Sequence, residues 1–154
     1  NTKKPLRVML LAAGFGTRLL PITKNIPKCL VKVKGKPLLE IWLEKLEELG
    51  CDSVLINTHY LSDKVDEFLL NYSRKKMKID IVYESVLNGT AGTLLENRNY
   101  FKDSNILLIH ADNYTNDNLK GFLNAFYQKP IKCEITMLTF TTENPKSCGI
   151  VEKK

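Results

Sequence analysis

Short apolar runs recur along this chain, each followed by a stretch of helical periodicity, and that rhythm restricts the fold more than any other feature. LRVMLLA (6–12) and SVLIN (53–57) are apolar without polar alternation, the pattern of strands buried on both faces. KIDIVYE (78–84) and NILLIHAD (105–112) also read as strands, the latter central. PLLEIWLEKLEELG (37–50) carries Leu38, Leu39, Trp42, Leu46 and Leu49 on one helical stripe. Pro37 suits its first position and Gly50 is a stop signal. SDKVDEFLLNYSRKK (62–76) is predicted helical, with Ser62 as N-cap and Val65, Phe68, Leu69 and Tyr72 on one face. GTLLENRNYF (92–101) and NDNLKGFLNAFYQK (116–129) complete the predicted helices. CEITMLTFT (133–141) is a further predicted strand, nearer an edge because Glu134 and Thr136 interrupt its apolar character. This repetition predicts the α/β class: a mostly parallel central sheet with helices on both faces, joined by right-handed crossovers. The 154 residues suit one domain, 1–154.

Composition narrows the function classes. No apolar run is long enough to span a bilayer. The short basic N-terminus leads straight into a strand with no cleavage-site pattern, so no signal peptide is expected. Cys29, Cys51, Cys133 and Cys148 are irregularly spaced and form no C-x-x-C pair, which points to reduced thiols in a cytoplasmic protein. The net charge of +6 would attract nucleic acid, a membrane or a polyphosphate metabolite equally. However, the lysines are dispersed, and the one cluster (Arg74, Lys75, Lys76 and Lys78) falls in a turn between a helix and a strand. No aromatic-interleaved basic stripe suggests nucleic-acid binding.

The long irregular stretch, 13–36, begins within LAAGFGTRL (11–19) at the exit of the first strand. A long loop in a compact domain is usually functional or disordered. Ligands of open α/β sheets bind beyond the carboxyl ends of the strands. Gly14 and Gly16 permit positive φ and close backbone approach. Successive amides there can form an anion nest, and Arg18 adds a fork of donors suited to phosphate oxygens. Neither common phosphate motif fits. Thr17-Arg18 stands where a Walker A loop has Lys then Ser/Thr, and Leu19 where a Rossmann fingerprint has its third glycine. Thr17, Arg18 and Lys28 in one loop still favour phosphate binding over a plain turn. Lys28 alone is either an exposed loop lysine or a side chain aimed by the restricted backbone of Pro27. ESVLNGTAGT (84–93) offers small residues for a planar ligand, or equally a loop ending in a helix cap near Thr90. Asp112, at the end of the fourth strand, is placed either to hold a hard cation such as Mg²⁺ or to cap a turn. His59 and His110 read as structural residues, His110 as a buried one, and no Ser/His/Asp or Cys/His arrangement is legible.

Together, LAAGFGTRLLPITKNIPKCLVKVKGKPLL (11–39), NTHYL (57–61), NGTAGTL (88–94), HADN (110–113) and ENPKSCGIVE (143–152) resemble the nucleotide-sugar pyrophosphorylases, or sugar-phosphate nucleotidylyltransferases. The first motif is long and specific, and the matches run in order over nearly the whole chain. The resemblance implies a Rossmann-like nucleotidyltransferase fold. It also implies an enzyme that joins an NTP to a sugar 1-phosphate with Mg²⁺, giving NDP-sugar and pyrophosphate. Leu11, Ala12, Ala13 and Gly14 would lie against the nucleoside, and Gly16, Thr17 and Arg18 would hold the triphosphate. Lys28 would neutralise the reacting phosphates. Glu84, Gly89 and Thr90 would lie where the base is recognised. Asp112 would bind Mg²⁺, with Asn113 beside the sugar phosphate.

The spacing of NGTAG and the ENPKSCG element resemble the branch making GDP-mannose or related GDP-sugars, with uridylyl and thymidylyl branches as alternatives. Family members usually continue through a Glu-Lys-Pro element to a second metal-binding aspartate, whereas this sequence stops at Lys154. The expectation is a fragment or a shortened protein with incomplete metal and sugar binding. Its open sheet edge and apolar surface would favour homo-oligomers. A nucleotide-binding module without turnover is the alternative from another class.

Overall fold

Leu6–Leu11 form strand β1 and bury Val8, Met9 and Leu10 completely, as a run apolar on both faces requires. The computed structural model describes residues 4–73 and 76–151. After β1, 3₁₀ turns at Thr17–Leu19, Ile22–Lys24 and Lys28–Leu30 lead to a small antiparallel hairpin, β2 (Lys32–Val33) and β3 (Lys36–Pro37). Helix α1 (Leu38–Glu48) starts directly after Pro37 and buries Leu38, Leu39, Trp42, Leu43 and Leu46. Burying side chains of this size stabilises by about 1.5–3 kcal/mol each. There follow β4 (Ser53–Thr58), α2 (Ser62–Asn71), β5 (Lys78–Tyr83), α3 (Gly89–Glu96) and β6 (Asn105–His110). Helix α4 (Leu119–Gln128) lies in a second compact unit, since the described residues divide between Asn116 and Asp117.

The four long strands form one parallel sheet in the order β5-β4-β1-β6. The chain builds outward from β1 through β4 to β5, then returns to the other side of β1 with β6. The order therefore reverses at β1, and the carboxyl ends of β1 and β6 open a crevice. Leu11 is paired with Asn57 on one side and His110 on the other, so these residues share one level at the rim. Every residue of β4 is buried, which means both faces of the sheet centre are covered. At the opposite end, Asp52 Oδ2 accepts from the Leu6 amide (2.7 Å) and the Asp52 amide donates to the Leu6 carbonyl (2.9 Å).

Some expected boundaries move. Ser62 is the first helical residue of α2 rather than its cap, because Leu61 before it turns into the left-handed region (φ 51). That helix ends at Asn71, and Arg74 and Lys75 of the basic cluster lie outside the described residues. Helix α3 begins at Gly89 instead of Gly92, so Thr90 falls in its first turn. Helix α4 starts at Leu119, because the Asn118 side chain accepts from the Gly121 amide (2.9 Å) and caps it there. Residues 133–141 form no strand among the described residues, and Ile135, Met137 and Phe140 are exposed. A strand exists only where a neighbour completes its ladder, and this segment pairs with none of the described strands. No described helix is long and apolar enough to cross a membrane, and Cys29, Cys51 and Cys133 are free thiols.

Candidate functional site

The loop leaving β1 folds back on itself at Gly16, which sits in the left-handed region (φ 68). Its carbonyl accepts from the Leu19 amide (2.9 Å) and from the Thr23 hydroxyl (2.7 Å). Thr23 is wholly buried beneath it. A Cβ on Gly16 would come within 2.9 Å of Thr23 Cγ2 and 3.2 Å of Lys28 Cβ. This close approach holds Lys28 beside the first turn of the loop. Pro27 is buried and extended, and the Leu30 amide donates to its carbonyl (2.8 Å), so a tight turn fixes where Lys28 projects. Gly14 differs from the expectation for it. Its φ is not positive and an added Cβ would meet nothing within 4 Å, so it serves neither a left-handed turn nor a close backbone contact.

A cleft of about 210 Å³ lies at the carboxyl ends of the strands. Leu11, Ala12, Ala13, Gly14, Lys28, Glu84, Gly89, Thr90 and Asp112 all line it. The sequence separates these residues widely, and the parallel sheet brings them to one rim. Lys28 and Asp112 form an ion pair across 84 residues of sequence, with side chains only 20% and 30% exposed. Lys28 is therefore not a freely solvated loop lysine. The Ala111 amide donates to the Leu11 carbonyl (2.9 Å), extending the β1–β6 ladder one step and fixing the backbone just before Asp112. Gly16, Thr17, Arg18 and Asn113 are not among the lining residues. Thr17, Arg18 and Asn113 are exposed nearby in the chain. The Asn113 carbonyl accepts from Trp42 Nε1 (2.8 Å).

Three further polar residues and one thiol belong to the cleft. Asn57, Thr93, His110 and Cys29 line it, and none was singled out for this role by sequence. His110 is exposed there rather than buried, because the strand ends at the rim. His59 Nδ1 lies 2.6 Å from the Glu84 carbonyl, and its ring meets Phe15 edge-on (centroids 5.2 Å apart), the structural role expected of it. Burial pushes the Cys29 thiol up to about 12, a backbone hydrogen bond opposes this, and the Asp112 charge adds to it. It stays protonated at neutral pH and is no nucleophile. The signal for Asn57 was present in SVLIN: a polar side chain follows the apolar run Val54, Leu55 and Ile56 near the carboxyl end of a buried strand.

The cleft's donor set bears on a cation. Its carboxylates are Asp112 and Glu84, and Glu84 already accepts from Asn57, Thr93 and the Asn88 amide. Among the described residues, no group of three or more His, Cys, Asp or Glu could hold a metal by itself. A single carboxylate fits Mg²⁺ delivered on a triphosphate, which keeps waters and phosphate oxygens as its other ligands.

A parallel sheet with a cleft at its switch point, beyond the carboxyl ends of β1 and β6, has the ligand-site placement of an open, doubly wound α/β protein. More particularly, residues 7–154 match the nucleotidyl transferase family, and the chain belongs to it. The bifunctional protein GlmU of Methanocaldococcus jannaschii is 30% identical over 143 residues, covering 93% of this chain and 32% of its own length. The UTP–glucose-1-phosphate uridylyltransferase of Synechocystis is 27% identical over 157 residues, covering 95% and 40%. The crystal structure of HddC from Yersinia pseudotuberculosis, complexed with GMP-PN, superposes with a TM-score of 0.69 at 29% identity, over 79% of this chain and 54% of that one. The fold is the Rossmann-like nucleotidyltransferase fold of an enzyme family. The chain spans about a third to two-fifths of the length of these curated relatives.

Proposed function

We propose that this chain is the nucleotide-binding part of a cytoplasmic sugar-phosphate nucleotidylyltransferase. It would join an NTP to a sugar 1-phosphate, with GTP and mannose 1-phosphate as the favoured pair. The observation that carries the reading is the meeting of Lys28 and Asp112 on a cleft whose walls are the β1 loop and the segment after β5. HddC's complex with GMP-PN favours a guanine base. The Synechocystis relative keeps a uridylyl reading alongside it.

In this reaction a phosphate oxygen of the sugar 1-phosphate attacks the α-phosphorus of the NTP. One P–O bond forms as the bond to the departing pyrophosphate breaks. Two anions must meet, so positioning and charge neutralisation dominate, and no protein nucleophile is needed. Leu11 to Gly14 would lie against the nucleoside, and Gly89 and Thr90 would border the base. Lys28 would leave Asp112 for the reacting phosphates. Gly16, Thr17 and Arg18 would hold the triphosphate tail, and Asn113 would sit beside the sugar phosphate. Asp112 would hold Mg²⁺, which when bound neutralises and orients phosphate oxygens.

The test incubates the protein with each NTP, Mg²⁺ and a panel of sugar 1-phosphates, and reads pyrophosphate release and equilibrium NTP binding. Lys28→Ala is expected to lower turnover about 10²- to 10³-fold, as loss of one charge-stabilising group does, with the domain still folded by circular dichroism. Wild-type turnover in Lys28→Ala rejects the catalytic assignment.

A further inference from the structure

The hydrogen-bond polarity behind the cleft is fixed outward from one backbone amide. The Ala12 N–H can only donate, and it donates to Asn57 Oδ1 (2.8 Å). The amide of Asn57 is thereby oriented, and its Nδ2 must face the other way. It donates to Glu84 Oε1 (3.1 Å) and reaches Thr93 Oγ1 (3.5 Å). With Thr93 Oγ1 receiving from Asn57, its own proton is directed to Glu84 Oε1. The Asn88 amide, again only a donor, reaches Glu84 Oε2 (3.3 Å). Asn57, Glu84 and Thr93 are 3%, 5% and 1% exposed, so water does not substitute for these partners. Among the described residues, every group bonded to the Glu84 carboxylate is thus a donor, and both its oxygens act as acceptors. A carboxylate has about four lone-pair sites. Oε1 uses two and Oε2 uses one, which leaves one acceptor site on Oε2 of a residue that lines the cleft.

We propose that Asn57 and Thr93 are specificity-determining positioning residues that hold Glu84 as an acceptor, so that the cleft selects nucleotides whose base carries a ring N–H. This deepens the nucleotide-binding reading above and rests on it. Guanine (N1–H) and uracil (N3–H) present that donor on their pairing edge. Adenine N1 and cytosine N3 present a lone pair there, which an acceptor repels. Neither Asn57 nor Thr93 needs to touch the nucleotide. Their effect is to fill Oε1 and stop the carboxylate from turning.

The experiment titrates the full chain with GTP, UTP, ATP and CTP in Mg²⁺, and separately measures hydrogen exchange of the Ala12 amide without nucleotide. In the wild type, GTP and UTP are expected to bind at least about tenfold tighter than ATP and CTP, the effect of one hydrogen bond to a charged group. Thr93→Val keeps the side-chain shape but loses the hydroxyl, and the preference is expected to fall to about twofold. Thr93→Ser is expected to restore it. Glu84→Gln places an amide donor at the Oε2 position, and is expected to turn the preference toward ATP and CTP. Asn57→Ala is expected to speed Ala12 amide exchange at least about tenfold in the ligand-free protein, because its acceptor is gone. Equal affinity for all four nucleotides in the wild type overturns the inference while leaving nucleotide binding intact. So does a full preference in Thr93→Val. Binding of no nucleotide, with the Ala12 amide still protected, overturns the underlying functional reading and the inference with it.

Discussion

Gly16 and Gly14 stand two residues apart in the same loop and are glycine for different reasons. At Gly16 the backbone is left-handed and a Cβ would press on buried Thr23 at 2.9 Å. An L-residue in that conformation costs about 1–2 kcal/mol before any clash is counted. At Gly14 neither constraint exists, and the residue only keeps the cleft wall low. Gly16→Ala is therefore expected to lower unfolding free energy by at least about 1 kcal/mol in urea titration, whereas Gly14→Ala stays within about 0.5 kcal/mol. Equal losses at both positions would refute the distinction. The sequence showed both glycines but could not rank them, because Thr23 beneath Gly16 is a long-loop contact with no local signature. Glu84 and Asp112 follow strands, where a charged residue is conspicuous against apolar runs, but Lys28 lies in a turn far beyond β1 and was marked out only by the resemblance of its whole loop. Asn57 carried a signal as a polar residue near the end of an apolar strand, but its partners Ala12, Glu84 and Thr93 come from distant segments, and Thr93, among the small residues of NGTAGTL, carried none. Arg18, which stood out as a phosphate ligand, is exposed and outside the cleft lining.

At the scale of elements, periodicity identified α1 and its apolar stripe, but it treated Trp42 as hydrophobic filling. The structure gives that side chain a second task. Trp42 is 4% exposed, and its Nε1 donates to the Asn113 carbonyl (2.8 Å), tying α1 to the turn that follows β6. Trp42→Phe keeps an aromatic ring in the core and removes the donor. The substitution is expected to lower stability by about 1 kcal/mol, the worth of a typical hydrogen bond. If Asn113 borders the sugar phosphate, the same variant raises the KM for sugar 1-phosphate and leaves NTP affinity within about twofold. A rise in both together would mean that α1 supports the whole cleft and not the Asn113 turn. Buried strands were legible from their own composition, since β1 and β4 are covered on both faces. The segment 133–141 was not, since its pattern says that it would suit a sheet and nothing about whether a neighbour pairs with it.

At the scale of the whole molecule, the order β5-β4-β1-β6 is a property of no single segment, yet it decides that the β1 loop and the end of β6 meet. The packing that enforces this order also seals titratable groups whose protons report on global unfolding. Cys51, at the junction of α1 and β4, is 6% exposed, and burial pushes its thiol from 9.0 up to about 12, with the neighbouring Asp52 charge adding to the rise. Burial likewise raises Cys29 and Tyr100 to about 12. Below about pH 9 these groups hold their protons in folded and unfolded chains alike, and their contribution to stability is fully present. As pH rises from there toward about 12, the unfolded chain releases protons that the folded chain retains. The unfolded state then binds fewer protons, so unfolding free energy falls with pH. A buried thiol contributes a slope approaching about 1.4 kcal/mol per pH unit in that window. Urea titrations of the wild type and Cys51→Ala between about pH 8 and about pH 11 isolate this contribution, because the lysines titrate identically in both. The alanine variant is expected to start less stable and to lose stability less steeply. Parallel pH profiles for the two proteins would show that the Cys51 thiol is not sealed from water by the α1–β4 junction.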